Sequence, residues 1–481
     1  MKDNLEKQGV ELRTADADLR RVFTWAKKQA LAYAFGDDPV GPWYEAALPG
    51  RESFCMRDVC HQATGAHFLG LAEFTKNMLS RFAEHVSDSK DWCSLWEINR
   101  LGEPPVVDFR DEHEFWYCLP ANFDVLDCCY RMYLLTGNKA YLRDPVFLNF
   151  YHRTAHDYVE RWDLGLDKIM KRSRIMNIRK EPGGESRFRM NRGVPGYNES
   201  NYDYSISFDQ IAAQCAGYRA LGNIMLLKGA DSDAETYFER SRDLREFLDA
   251  AWWNVSRSRY YEFCNKNGDM HAGEGTFRGL YWNILDDRTR IGLTLEQVLA
   301  NAPHEPTRKI ESQSHIPEIC FRYGEIEAAY DQIFLLAESD RKEYPEVSFS
   351  IIGAIVEGLM GVGLETYPPA DALRRGGYVE RIITTQSRLS KGTKWAEALN
   401  LSIRSNRFAL RHDGARKSSL ENTYGPALLW KAHFPGTQDE LLINGRPAGT
   451  KTIQISATGE IVSWVTVVVG AGEEKVVEAP K

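Results

Sequence analysis

The sequence predicts a mostly helical protein, an (α/α)6 barrel or toroid of six helical hairpins, followed by a small antiparallel β-domain. Three observations carry this reading. Helices apolar on every side alternate with helices apolar on one side. A long polar loop precedes each all-apolar helix and a short turn follows it. After Tyr367-Pro368-Pro369 the texture changes to short β-branched runs. A helix apolar all round is buried all round, whereas a one-sided stripe marks an outer helix. Short turns force antiparallel neighbours, so the long loops all emerge at one end. The barrel is expected over residues 1–367 and the β-domain over 368–481.

The first outer helix spans Leu19 to Ala34, with Leu19, Val22, Phe23, Ala26 and Ala30 at helical spacing. A loop, Gly36 to Met56, leads to a helix starting near Arg57, in which Ala63, Gly65, Ala66, Phe68 and Leu69 leave almost no charge on any side. An amphipathic helix ending near His85 follows. The same unit then recurs. Loop Val86–Glu114 precedes Phe115–Leu135, and Thr-Gly-Asn turns into Ala140–Trp162. Loop Asp163–Tyr204 precedes Ser205–Leu227, and Lys228-Gly229-Ala230-Asp231 turns into Ala234–Trp253. Loop Asn254–Thr276 precedes Phe277–Leu285. Loop Ala302–Ser312 precedes Gln313–Tyr323, and Gly324 turns into Glu325–Ala337. Glu338–Pro345 leads into Val347–Val362. The repeat is one of organisation, with negligible identity between units. Strands are expected at Tyr378–Thr385, Ala398–Ile403, Phe408–Arg411, Leu428–Ala432, Leu441–Ile443, Thr452–Ser456 and Ile461–Val469, with His-Asp-Gly-Ala, Asn-Gly-Arg-Pro and Ala-Thr-Gly-Glu as turns. Trp395, Trp430 and Trp464 sit in or beside these strands, where core packing is the ordinary role.

With 43% hydrophobic residues, 27% charged and a net charge of −8, the balance is that of a globular protein. It lacks the basic surplus and the motifs of a nucleic-acid binder, and no apolar run reaches a membrane span. The N-terminus has no apolar signal core, so either the protein is cytoplasmic or a signal was removed before numbering begins. Nine cysteines without Cys-x-x-Cys or Cys/His ligand spacing imply reduced core thiols, not a disulfide frame or zinc site.

Chemistry is expected where the loops converge. Arg57 and Asp58 stand at the start of the first inner helix, where free N–H groups and the helix dipole favour an anionic side chain. The second loop holds Asp108, Asp111, Glu112 and Glu114 before Phe115-Trp116-Tyr117, which makes Glu112 and Trp116 candidate ligand contacts. The third ends in Tyr197-Asn198-Glu199-Ser200-Asn201-Tyr202-Asp203-Tyr204. The fourth holds Glu274, the fifth Glu311 with His315, and the sixth Glu343 and Glu346. Any one such cluster is ordinarily a solvated surface; a fold that collects them around one mouth makes a site. Glycosidic cleavage needs one carboxylic acid to protonate the leaving oxygen and one carboxylate to activate water or attack, with aromatic faces for the sugar rings.

On these residues the chain resembles the six-hairpin glycosidases, the glucoamylase-like superfamily, over residues 16 to 365. The resemblance implies that Arg57 and Asp58 of Met56-Arg57-Asp58 grip a terminal sugar. It implies a general acid before the third inner helix, Glu199 or Asp203, and a general base before the sixth, Glu343 or Glu346. Here Val59-Cys60-His61 follows the Arg-Asp pair in place of the commoner serine, and the usual tryptophan-rich acid motif is missing around Glu199. The expected reaction is exo-acting hydrolysis with inversion, requiring neither metal nor organic cofactor, on a poly- or oligosaccharide.

The third loop carries Lys168, Lys171, Arg172, Arg174, Arg179, Lys180, Arg187, Arg189 and Arg192. Guanidinium groups pair with carboxylates, so a uronate-containing glycan is the expected substrate. Such a substrate opens an alternative, a polysaccharide lyase acting by β-elimination, for which His61, His315, Tyr197, Asn198, Tyr202 and Arg57 are candidates. A third reading is a glycan-binding protein without catalysis.

Overall fold

The computed structural model describes residues 8–172, 192–198, 204–302, 310–364 and 382–480. Twelve helices alternate between outer and inner positions: α1 Ala17–Ala32, α2 Met56–Phe68, α3 Ala72–Glu84, α4 Pro120–Thr136, α5 Pro145–Arg153, α6 Phe208–Leu227, α7 Asp231–Ala251, α8 Phe277–Tyr281, α9 Arg288–Asn301, α10 Ile316–Arg322, α11 Ile326–Glu338 and α12 Pro345–Gly353. Helix α5 continues through a π-helical turn, Thr154–Tyr158, into Val159–Arg161, and α12 continues through another, Ala354–Leu359. The inner helices contact one another in a cycle: α2 packs on α4, α4 on α6, α6 on α8, α8 on α10, α10 on the end of α12, and α12 on α2. The odd-numbered helices lie outside them; α1, for instance, rests on α11 and α12.

Burial explains the two helix types. In α2 every residue except Arg57 is buried, and in α12 every residue is. In α7 only Ala234, Tyr237, Ser241, Leu244 and Leu248 are, a single stripe. The cycle closes where α2 crosses α12. There a Cβ on Gly65 would lie 2.0 Å from the carbonyl oxygen of Phe349, so the backbones meet at a distance only glycine permits.

Several boundaries differ from the expectation. Helix α4 starts at Pro120 rather than Phe115, because Tyr117–Cys118 pairs in parallel with Arg192–Val194 and proline suits a first helical turn. Helix α6 starts at Phe208 rather than Ser205, because Tyr204–Ser207 pairs with Phe263–Asn265. With Ser53–Cys55 against Glu97–Asn99, these short pairings stitch the first loop to the second, the second to the third and the third to the fourth. The sequence reading missed them, since two- and three-residue strands have no periodicity to read.

The C-terminal part forms two sheets from twelve strands: β1 Glu11–Thr14, β2 Gly363–Leu364, β3 Ile382–Gln386, β4 Trp395–Ile403, β5 Asn406–Asp413, β6 Lys417–Tyr424, β7 Leu428–Pro435, β8 Glu440–Ile443, β9 Arg446–Gly449, β10 Lys451–Gln454, β11 Ile461–Val469 and β12 Glu474–Glu478. Their orders are β1-β4-β5-β6-β12-β8-β9 and β2-β3-β7-β11-β10. β1, β2, β6, β9 and β12 were not expected from the sequence. In particular, Asn-Gly-Arg-Pro is only half turn: Asn444 and Gly445, both at positive φ, reverse the chain, and Arg446 begins the returning strand. Strand β1, from before the first outer helix, pairs with β4. Trp430 is fully buried, with its indole N–H on Thr385 Oγ1 at 2.8 Å. Trp395 lies under Arg411 and Trp464 under Lys431 and Lys451. All nine cysteines are buried and none forms a disulfide. No helix among the described residues is long and apolar enough to cross a membrane.

Candidate active site

At the N-terminal ends of the inner helices, side chains from five elements converge. Helix α2 supplies Arg57, Asp58 and His61. Glu346 comes from the first turn of α12, His315 caps α10, Asp124 comes from α4 and Arg278 from α8. Asp58 lies 3.2 Å from Arg57 and accepts from the Tyr344 hydroxyl at 3.3 Å. His61 Nδ1 lies 2.9 Å from Glu346 Oε1, while His61 Nε2 and Glu346 Oε2 have no hydrogen-bond partner among the described residues. The His61 ring stacks on His315 at 3.6 Å, and His315 Nδ1 is 2.9 Å from the Glu311 carbonyl that accepts its proton. Glu311 itself is paired with Arg341 at 3.1 Å and keeps a side-chain exposure of 26%.

Tyr197, from the third loop, ties the other half together. Its amide N–H donates to Asp209 at 2.8 Å and its hydroxyl to Asp124 at 3.1 Å. The guanidinium groups of Arg57 and Arg278 lie 5.5 and 4.9 Å from its ring centroid. Arg278 also faces Asp209 at 3.6 Å, and the Trp282 indole donates to the second oxygen of Asp124 at 3.4 Å.

Burial sets the charge states. It pushes the Glu346 carboxyl up to about 8, with Arg57 opposing and Glu311 reinforcing the shift. It pushes Asp124 up to about 7 and Asp58 well above the carboxylate range. The same loss of water pushes the His61 imidazole down to about 4 and His315 well below its ordinary value. At neutral pH, then, the His61–Glu346 pair carries no net charge: a neutral imidazole shares one hydrogen with a protonated carboxyl.

His61, His315 and Glu346 also offer ligand atoms within 4.8 Å of one another. The imidazoles, however, are stacked nearly parallel, at 11°, so their lone pairs lie in parallel planes and do not converge on one ion. The arrangement is that of packed rings.

The structure thus brings together Arg57, Asp58, His61, Tyr197, His315 and Glu346. Glu343 does not join them: its carboxylate is exposed, and its carbonyl accepts the Tyr33 hydroxyl. Glu112 stands on the outer rim against Lys90, and Trp116 is buried beneath that rim, 1% exposed. Asn198 uses its carbonyl to accept from Tyr204 at 2.9 Å. Glu199, Tyr202 and Asp203 lie outside the described residues, as do Arg174, Arg179, Lys180, Arg187 and Arg189. Of the remaining basic residues, Arg172 is buried on the carbonyls of Trp162 and Ser205, and Arg192 pairs with Asp91 at 2.8 Å. Lys168 and Lys171 are exposed.

Sequence reasoning missed Asp124, Asp209, Arg278 and Tyr344. The first three lie inside or at the start of apolar helices, and that was the available signal. A lone charge in an otherwise apolar buried helix needs a partner, so it marks a polar cluster.

No family model and no curated protein matches this chain. Among solved structures, the chain is similar to an α-L-rhamnosidase from Dictyoglumus thermophilum, with a TM-score of 0.60 at 13% identity over 98% of this chain and 50% of that one. It is similar to a GH78-family rhamnosidase of Bacillus sp. GL1, with a TM-score of 0.55 at 12% identity over 87% of this chain and 41% of that one. A putative kojibiose phosphorylase from the human microbiome gives 0.55 at 10% identity over 97% of this chain and 64% of that one. The chain therefore spans about half the length of the rhamnosidases it resembles. These likenesses show the fold alone.

Proposed function

We propose that this protein is a glycoside hydrolase of (α/α)6 toroid architecture, acting on the terminal sugar of an oligosaccharide or polysaccharide and inverting the anomeric centre. The observation that carries the reading is the convergence, at one end of the inner helices, of buried carboxyls from α2, α4 and α12 with the guanidinium groups of Arg57 and Arg278. Enzymes that cleave glycosides need a carboxyl that keeps its proton at neutral pH, and exclusion of water supplies that condition here. The solved structures bearing the same fold include rhamnosidases, a putative kojibiose phosphorylase and an α-mannosidase, which agrees with sugar chemistry.

In this scheme Arg57 and Asp58 hold the terminal sugar's hydroxyls, and Tyr197, fixed by Asp209 and Asp124, offers a ring edge beside them. The acid comes from the third loop as Glu199 or Asp203. Glu343 and Glu346 remain the candidates for the base. Glu346 is sealed behind His61, with no exposure, so Glu311 joins them as the carboxylate in the cluster that water reaches. Inversion requires the acid and base carboxyls to stand roughly 6.5 to 9.5 Å apart, to leave room for water.

A uronate at the terminal position is the finer reading. Its support is narrower than the charge of the third loop suggests, because Arg172 and Arg192 are already engaged; Arg57 and Arg278 would take the carboxylate. Elimination fits less well. A tyrosine base needs a lowered pKa, whereas burial and Asp124 push the Tyr197 phenol up.

The test is to replace Glu199, Asp203, Glu311, Glu343 and Glu346 singly by their amides. Reducing sugar, optical rotation and the ultraviolet absorbance of an unsaturated uronate are then followed on neutral and uronate-bearing glycans. Two amide variants with activity reduced about a hundredfold or more would identify the pair, general acid–base catalysis being worth roughly that much. Full activity in all five would sink the assignment. Rising absorbance would transfer it to a lyase, and glycan binding by the wild type without any cleavage would leave a binding protein.

A further inference from the structure

Glu311 and Arg341 meet at the mouth from different loops. Glu311 stands in a single helical turn, Ile310–Gln313, ahead of α10. Ile310 is fully buried, and the Glu311 carbonyl accepts from the Ser314 hydroxyl at 2.8 Å and from His315 Nδ1 at 2.9 Å, so the backbone beneath the carboxylate is fixed. Arg341 stands in the sixth loop, between α11 and α12. That loop is a closed turn. Arg341 N–H donates to Ser339 Oγ at 3.1 Å, Lys342 N–H to the Ser339 carbonyl at 3.1 Å and Tyr344 N–H to the Arg341 carbonyl at 2.9 Å. The guanidinium lies 5.7 Å from the centroid of the Tyr344 ring, whose hydroxyl donates to Asp58. Both partners are thus anchored to the ends of inner helices.

The contact between them is one-sided. Arg341 Nη2 donates to Glu311 Oε1 at 3.1 Å, and Glu311 Oε2 has no hydrogen-bond partner among the described residues. Water reaches both side chains, which keep 26% and 37% of their surface. The charge of Glu311 also reinforces the upward shifts of the Glu346 and Asp58 carboxyls and of the Tyr344 phenol, so it lies beside the buried cluster and not on the outer rim. A half-exposed ion pair contributes little to stability, because water screens it and two long side chains must be held still. Stability therefore does not account for a link between the fifth and sixth loops at this point. A base for inverting hydrolysis needs access to water, an oxygen free to take a proton, and a fixed aim, since a misplacement of about 1 Å can cost a hundredfold in rate. Glu346 is sealed, and Asp58 is buried between Arg57 and Tyr344. Glu311 meets the first two needs, and Arg341 supplies the third.

We propose that Arg341 is a positioning residue for hydrolysis, holding Oε1 of Glu311 so that Oε2 stands as the base. As the water oxygen bonds to the anomeric carbon, Glu311 takes one proton of that water. The leaving oxygen takes the proton of the acid as the glycosidic bond breaks. This role rests on the hydrolase reading and selects Glu311 among its candidate bases.

The test is steady-state kinetics of the full chain on neutral and uronate-bearing glycans and on the 4-nitrophenyl α-glycosides of L-rhamnose, D-mannose, D-glucose and D-glucuronate. Arg341→Met is expected to lower kcat roughly tenfold to a hundredfold with KM unchanged. Arg341→Lys, which can reach the same oxygen, is expected to recover most of that loss. In a Glu311→Gln background, Arg341→Met is expected to lower kcat no further, because a residue that acts through Glu311 has nothing left to position. Its melting temperature is expected to stay within about 2 °C of the wild type, as for any half-exposed pair. An unchanged kcat in Arg341→Met, a rise in KM alone, an equal further loss in the Glu311→Gln background, or a collapse of melting temperature in both Arg341 variants would overturn the role of Arg341 alone. A wild type inert on every one of these substrates would overturn the hydrolase reading, and this role with it.

Discussion

Glu346 shows how much a single position can differ from what its surroundings in sequence suggest. In the chain it follows Tyr344-Pro345 in an acidic loop; in the structure it is a fully buried carboxyl facing His61. Its folded-state pKa of about 8 lies above the ordinary 4.5, so its contribution to stability is complete below about pH 4.5 and is lost as pH rises towards 8. Glu346→Gln mimics the protonated form. It is expected to flatten the fall in melting temperature between pH 5 and pH 8, measured by calorimetry, whether or not it removes activity. A slope equal to that of the wild type would show that Glu346 ionises freely in the folded state. Arg57 gives a functional counterpart. Arg57→Lys keeps the charge but loses the planar fork against Asp58 and the contact with the Tyr197 ring. On the proposed role it lowers kcat/KM about tenfold, mainly through KM. An unchanged KM on a defined glycoside would place the sugar elsewhere.

Among the elements, the inner helices were legible because burial on all sides leaves a compositional mark, and the outer ones because a stripe at helical spacing does. Helix ends were marked by local chemistry in places, as where the Asp16 side chain accepts from Leu19 N–H and starts α1 at Ala17, two residues before the expected Leu19. The starts of α4 and α6 were not, because pairing between loops far apart in sequence decides them. Two glycines separate packing from propensity at this scale. Gly65→Ala puts a methyl group into the Phe349 carbonyl, where neither backbone can yield cheaply, and is expected to cost about 3 kcal/mol in chemical denaturation. Gly292→Ala, in the outer helix α9 with nothing within 4 Å, is expected to stabilise by roughly 0.5–1 kcal/mol. Equal effects would mean that the α2–α12 crossing is looser than the structure has it.

Across the whole molecule, helical part and sheets are joined by buried polar contacts. His67 Nε2 of α2 is 2.7 Å from the Ser402 carbonyl of β4, His412 Nε2 of β5 is 3.0 Å from the Met360 carbonyl beyond α12, and the backbone of Arg404 donates to Leu135 at 2.6 Å. Burial pushes both imidazoles down to about 4. Their stabilising contribution is therefore complete above about pH 6.5 and is lost as pH falls towards 4, where the unfolded chain takes up protons that the folded one refuses. His67→Gln keeps a donor for Ser402 but cannot be charged. It is expected to lessen the loss of melting temperature between pH 6.5 and pH 4; an unaltered acid limb would remove His67 from that account. Strand β1 ties the two parts as well, by pairing Glu11–Thr14 with Ala396–Leu399.

The sequence by itself determined the helical alternation, the common end at which the loops emerge and the change to β-structure, because each is written in hydrophobic period and turn chemistry over many residues. It also placed Arg57, Asp58, His61, Tyr197, His315 and Glu346 as candidates that the structure gathers into one cluster. Only the tertiary structure decided that Asp124 and Arg278 join them, that Glu346 is sealed while Glu343 faces water, and that β1 enters a distant sheet. Those outcomes depend on which groups lose water together, and that is a property of the packed assembly, not of any stretch of chain.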